Sequence, residues 1–218
     1  MKKLPMKKHH TCGMLLTFCG LDGCGKTTMI RRLADAMKAE GSSVSLTKQP
    51  TDFVRQSQIF RTFMDQPDHD AFDYRSLSLL AASDRIQHTN RVILPALHNG
   101  NIVVSDRYFY SCIANLRARG YTGDRWIYEV SGFVVQPDIA FFLDVPVDTA
   151  IGRVRSRDEE KNRYIDIPLQ YRLRDEYLRL AHKNHGIILS TDRNEDETYD
   201  QIIRTIREYK RRNHHGDR

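Results

Sequence analysis

Apolar and polar residues follow two rhythms along this chain. Short apolar runs stand at 14–19 (Met-Leu-Leu-Thr-Phe-Cys), 43–47, 101–105, 138–144 and 186–190, and several of them are unbroken. Continuous runs of this length fit parallel strands covered on both faces. Between them, apolar positions recur every three or four residues at about 27–39, 53–65, 71–98, 108–118, 123–133, 147–156, 168–183 and 195–211. That spacing predicts amphipathic helices. Strands alternating with helices predict an α/β fold, a three-layer, doubly wound parallel sheet flanked by helices. The pattern predicts one domain over 13–211, between basic tails at 1–12 and 212–218.

The first strand ends in the most informative stretch of the chain. Gly20, Leu21, Asp22, Gly23, Cys24, Gly25, Lys26, Thr27 and Thr28 fit G-x-x-x-x-G-K-[ST], a phosphate-binding loop. Glycines let the backbone curl so that successive N–H groups point at phosphate oxygens. Lys26 adds a point charge over the outer phosphates, and the Thr27 hydroxyl can ligate Mg²⁺. The helical pattern that follows places a helix N-terminus under the phosphates. A glycine-rich turn could match by chance, but strand, loop and helix in register point to a bound nucleotide.

Three further constellations carry charge. Ser105-Asp106-Arg107-Tyr108 follows a strand, and ligands of open α/β sheets gather at strand carboxyl ends. There Asp106 could hold Mg²⁺ and Arg107 could grip an anion; the plain alternative is a surface ion pair. Arg85 sits among apolar neighbours, which points its guanidinium at a ligand or a buried carboxylate. Residues 154–165 hold Arg155, Arg157 and Arg163 in a charged segment that could close as a lid over transferring phosphate, or be a solvated turn.

The formal net charge of +6 suggests nucleic acid until it is located. Lys2, Lys3, Lys7 and Lys8 together with a net three positive charges at 210–218 exceed it, leaving residues 9–209 at −1. The basic character thus belongs to tails that read as solvated, and a nucleic-acid groove is poorly supported. Nothing reads as a signal peptide or membrane span. Cys12, Cys19, Cys24 and Cys112 lack metal-ligand spacing and read as reduced thiols of a cytoplasmic protein.

Taken in order, the phosphate loop, Thr47-Lys48-Gln49-Pro50-Thr51, residues 79–85, 92–97, 105–108, 137–145 and the arginine-rich segment resemble the thymidylate kinase family of P-loop nucleoside-monophosphate kinases, over about 13–210. The resemblance implies a P-loop nucleoside-triphosphate-hydrolase type of fold and a homodimer. It also implies transfer of the ATP γ-phosphoryl, with Mg²⁺, to dTMP or a related pyrimidine monophosphate. In it, Lys26 and the loop amides bind ATP, Thr27 supports Mg²⁺, and Arg193 lies near adenine. Asp22 falls beside the acceptor's sugar and phosphate, Arg107 on its phosphate and Arg85 on its base. Arg155, Arg157 and Arg163 stabilise the transferring group, because Cys24 stands where some members place a loop arginine.

Three departures fall on the acceptor side. Ala81 replaces a phenylalanine that stacks on the base, Lys48-Gln49-Pro50 replaces Arg-Glu-Pro, and Asn115-Leu116 replaces a Tyr-Gln pair near the sugar. The missing aromatic face predicts weak binding of dTMP, rescued by Ala81→Phe. Other readings remain: a P-loop kinase for another or modified nucleotide or a small-molecule acceptor, or a nucleotide-binding module without transfer.

Overall fold

The computed structural model describes residues 2–68, 71–192 and 194–214. The strands are β1 (Met14–Cys19), β2 (Val44–Lys48), β3 (Ile102–Asp106), β4 (Ile139–Asp144) and β5 (Ile187–Ser190). They form one parallel sheet in the order β2-β3-β1-β4-β5. Helices flank it: α1 (Lys26–Ala39), α2 (Asp52–Arg55), α3 (Gln58–Asp65), α4 (Tyr74–His88), α5 (Leu94–His98), α6 (Phe109–Ala118), α7 (Trp126–Val130), α8 (Val147–Arg155), α9 (Ile167–Asn184) and α10 (Glu195–His214). The core is one cluster running through the central strands, in which Leu15, Leu16, Phe18, Val104 and Phe141 are sealed from solvent. Among the described residues, no helix is long and apolar enough to cross a membrane.

Register decides which side chains meet. Phe18 pairs with Asp106, and Asp106 pairs with Lys48. The phosphate loop, the Asp106-Arg107 turn and the Lys48 loop therefore leave the sheet side by side, at its carboxyl edge.

Two predicted helices are broken for identifiable reasons. Within 53–65, Ser57 ends α2 by donating from its Oγ to Val54 O (2.6 Å) and caps α3 by accepting from Phe60 N (3.3 Å). Within 71–98, Asp73 caps α4, and Thr89–Ile93 forms a π turn before α5. Pro95 at the start of α5 has no N–H to donate and its ring crowds the preceding turn, so the ladder shifts there.

The N-terminal segment departs from the solvated tail expected of it. Leu4 and Met6, two apart and hence on one side of an extended chain, are buried. Leu4 N donates to Asn184 Oδ1 (2.9 Å), and Lys7 pairs in parallel with Val135, its amide donating to Val134 O (3.1 Å). His9 Nε2 meets Asp138 Oδ2 at 2.9 Å. The lysines hid this strap from sequence reading because charge was counted and the alternation between them was not. At the other end, α10 carries the fold to His214, beyond the predicted boundary at 211.

Candidate active site

The loop after β1 is shaped by glycines. Gly23 adopts φ 82°, and a Cβ there would stand 2.2 Å from Ala150 O of α8; at Gly20, φ 142°, it would meet Leu143 O at 2.4 Å. Neither position tolerates a side chain. Gly25, with φ 88°, turns the chain into α1, whose N-terminus opens upward with Lys26, Thr27 and Thr28. Lys26 is buried, and its Nζ donates back to Leu21 O (2.7 Å), Gly20 O (3.2 Å) and Cys24 Sγ (3.6 Å). Thr191 supports the loop from beneath, its hydroxyl donating to Cys24 O (3.0 Å). Arg153 in turn donates to Thr191 O (2.9 Å).

Arg107 stands at the centre. It has φ 70°, the left-handed region that a side chain rarely occupies. The turn is held by Arg107 N donating to Phe18 O (2.8 Å) and Ser105 Oγ donating to Arg107 O (2.7 Å). Its guanidinium donates to Asp22 Oδ1 (2.5 Å), Tyr177 Oη (2.8 Å) and Gly20 O (3.3 Å). The Tyr177 hydroxyl donates to Ser111 Oγ (3.0 Å), and burial pushes its phenol up to about 12, so it stays a neutral link. Asp22 also accepts from Arg163 of the 154–165 segment at 2.7 Å. Burial opposes its charge, but Arg107, Lys26 and Arg163 together hold the carboxyl well below the usual carboxylate range.

These groups line one cavity of about 700 Å³, which runs from Gly25, Lys26, Thr27 and Thr28 past Asp22, Asp106 and Arg107 to Arg85, Asn115 and Pro50. Arg157 and Arg163 close one side, both tied to Glu160 (3.5 and 2.9 Å). Arg85 is buried on α4, donating to Ala81 O (2.9 Å) and Tyr108 O (3.4 Å), and still reaches the cavity. Among the described residues Asp106 Oδ1 is buried without a hydrogen-bond partner, and Asp106 and Thr27 both line the cavity. An orphaned carboxylate oxygen on a lining that also includes a threonine supplies the oxygen chemistry a hard divalent cation takes.

Several residues singled out in the sequence fall elsewhere. Ala81 is buried and off the cavity lining, and the aromatic lining comes from Phe60, Phe63 and Tyr164. Gln49 is fully buried, its amide 3.3 Å from His88 Nδ1, and is a support for the loop around Pro50. Arg155 is exposed and off the lining. Gly20, Leu21 and Cys24 form the back of the loop. Arg193 lies outside the described residues.

Two further cations join the site: Lys48, which the sequence named only within a departing loop, and Arg55, which it did not single out. Arg55, half-buried on α2, has its Nε fixed by Pro50 O (2.7 Å), and Lys48 Nζ stands 3.9 Å from Asp106 Oδ2. Both line the cavity. Burial, then Arg107, pulls Arg55 below its ordinary value, and burial, then Arg55, does the same to Lys48. Cations crowded this closely mark an unmet demand for negative charge. Arg55 gave no sequence signal, since residues 51–57 hold one aspartate and one arginine and carry no net charge.

The model of the family described as thymidylate kinase matches residues 18–202. A protein of Pyrococcus horikoshii named probable thymidylate kinase is 37% identical over 171 residues, 78% of this chain and 83% of the relative. One of Thermococcus kodakarensis with the same name is 35% identical over 199 residues, 88% and 97% of the two chains. A thymidylate kinase of Xanthomonas oryzae pv. oryzae is 36% identical over 155 residues, 70% and 65%. With a glycine-rich loop, an Asp-Arg turn and a buried arginine on one cavity, and this likeness across nearly its whole length, the chain belongs to the thymidylate kinase family.

Proposed function

We propose that the chain transfers the γ-phosphoryl of ATP to the phosphate of a pyrimidine nucleoside monophosphate, with dTMP first among the acceptors. Membership of the thymidylate kinase family makes it an ATP-dependent nucleoside-monophosphate kinase. The observation that carries the acceptor side is the single cavity joining the phosphate loop to a cluster of cations and a buried arginine.

Each residue then has a task. The loop amides and Lys26 hold the ATP phosphates at the N-terminus of α1. Arg107, Arg55 and Lys48 hold the acceptor phosphate, and Arg85 offers guanidinium donors to the base. Asp22 orients Arg107 and Arg163 and lies next to the acceptor sugar. Arg157 and Arg163 stabilise the charge spread over the transferring oxygens. Thr27 and Asp106 would hold Mg²⁺, which when bound neutralises phosphate charge. Almost all the acceleration is then positioning and electrostatics.

The reading also takes the protein as a cytoplasmic homodimer, in keeping with four free cysteines and with exposed Leu79 on α4 and Val92 on the π turn. Analytical ultracentrifugation checks the assembly. The activity is tested by ADP release with ATP, Mg²⁺ and dTMP, dUMP, dCMP, UMP and CMP in turn, with Lys26→Ala as control. Turnover is expected on dTMP or another deoxypyrimidine monophosphate, with Lys26→Ala at least about a hundredfold slower. No turnover on any of the five would defeat the reading.

A further inference from the structure

Ser111, Asn115 and Arg119 stand one helical turn apart along and just beyond α6, and all three line the cavity. The last has unusual partners. Arg119 Nη1 donates to Asn115 Oδ1 (3.0 Å) and makes a longer contact with Asn115 O (3.4 Å). Its guanidinium carbon lies 4.0 Å from the centroid of the Tyr74 ring. Tyr74 is itself met edge-on by Phe63, at 4.9 Å and 88°. Among the described residues no carboxylate pairs with Arg119, although it is half-buried.

A half-buried guanidinium normally finds a carboxylate, because leaving its charge uncompensated is costly. Here the charge is met by an aromatic face and an amide oxygen, which fix the plane of the group without neutralising it. Among the described residues Nε and Nη2 have no hydrogen-bond partner. Arginine planes, like aromatic rings, serve as platforms for nucleobases. Ala81 has no aromatic face to offer and is not on the cavity lining. Arg119 does line it, as do Arg85 and Phe63, and Tyr74 touches both Arg119 and Phe63.

Building on the acceptor reading above, we propose that Arg119 is a specificity-determining residue: its guanidinium, backed by Tyr74 and tethered by Asn115, is the face on which the acceptor pyrimidine stacks.

Binding of two probes tests this, dTMP and 2-deoxyribose 5-phosphate, which shares the sugar and phosphate but has no base. Arg119→Ala should weaken dTMP by about tenfold to a hundredfold. The sugar phosphate, the KM for ATP and kcat should stay within about twofold. Arg119→Lys, which keeps charge and loses the plane, should not restore dTMP binding. Equal weakening of both probes would reduce Arg119 to a structural role, and full rescue by lysine would replace stacking with charge; either overturns the inference. So would an unchanged dTMP constant in Arg119→Ala with the loss appearing in Phe60→Ala. Wild-type protein that binds dTMP no better than the sugar phosphate would overturn the acceptor reading itself, and this inference with it.

Discussion

Asp22 joins two arginines that arrive from opposite ends of the cavity, Arg107 from the sheet edge and Arg163 from the segment after α8. That contact separates the three lid arginines, which the sequence left equivalent. Arg163 touches the phosphate loop's carboxylate, Arg157 lines the cavity, and Arg155 does neither. A group that stabilises charge only in the transition state shows in kcat more than in KM. Arg163→Ala and Arg157→Ala should therefore lower kcat by about tenfold or more, and Arg155→Ala should leave it near wild type. Steady-state kinetics at saturating ATP and acceptor decides, and a large kcat loss confined to Arg155→Ala would reverse the assignment. Arg55 answers to a different readout. If it holds the acceptor phosphate, losing a charge-assisted hydrogen bond worth about 1.5–3 kcal/mol should raise the acceptor KM roughly tenfold to a hundredfold. The KM for ATP should not move. A shift in both would mean that Arg55 acts only by bracing Pro50.

The elements were mostly legible because strand and helix declare themselves by period. β1 occupies the very residues its apolar run predicted, and the other four strands shift by a single residue at one or both ends. Breaks inside helices were not legible, since Ser57 and Pro95 act through caps and lost donors that leave apolar periodicity untouched. The donor side of the site could be read because a phosphate loop is local in sequence. Across the cavity Arg85 and Asn115 were legible but Arg55, Phe60, Phe63 and Arg119 were not, because that wall is assembled from α2, α3, α4 and α6. Its register depends on a clamp that no local pattern shows. Asp84 of α4 accepts from Thr51 N (2.8 Å) and from the Thr51 hydroxyl, while His88 one turn later meets Thr47 Oγ1 (2.8 Å) and Gln49 Nε2 (3.3 Å). The helix that presents Arg85 thus also sets the loop that presents Lys48 and Arg55. Asp84→Ala would orphan the Thr51 amide, at a cost of about 1–3 kcal/mol. A lower urea midpoint and a raised acceptor KM with unchanged KM for ATP are expected. A variant whose midpoint and acceptor KM both match wild type would show that the loop holds its shape without the clamp.

At the scale of the whole molecule, the sheet has its chemistry at one edge and its fastening at the other. The N-terminal strap crosses the amino end of β4, where Asp138 gathers His9 Nε2 (2.9 Å), the Tyr209 hydroxyl of α10 and the backbone amide of Leu15 in β1 (2.7 Å). One carboxylate so joins the strap, the last helix and the central strand. Burial raises its pKa, but the bonds from His9, Tyr209 and Leu15 outweigh that and leave it below the ordinary value. A carboxyl depressed by folding contributes stability that is present above its unfolded value, near 3.9, and is lost as pH falls through the folded value. Asp138→Asn should therefore unfold at lower denaturant than wild type around neutral pH, and the gap should close below about pH 4. Leu4→Ala tests the apolar half of the same fastening. Truncating a buried leucine costs about 2–5 kcal/mol, which for a chain of this size lowers Tm by roughly 4–20 °C. That loss should persist at both pH values because no titrating group is involved. A gap for Asp138→Asn that is the same at about pH 3 and pH 7, or a Leu4→Ala protein as stable as wild type, would mean that the strap merely lies against the fold.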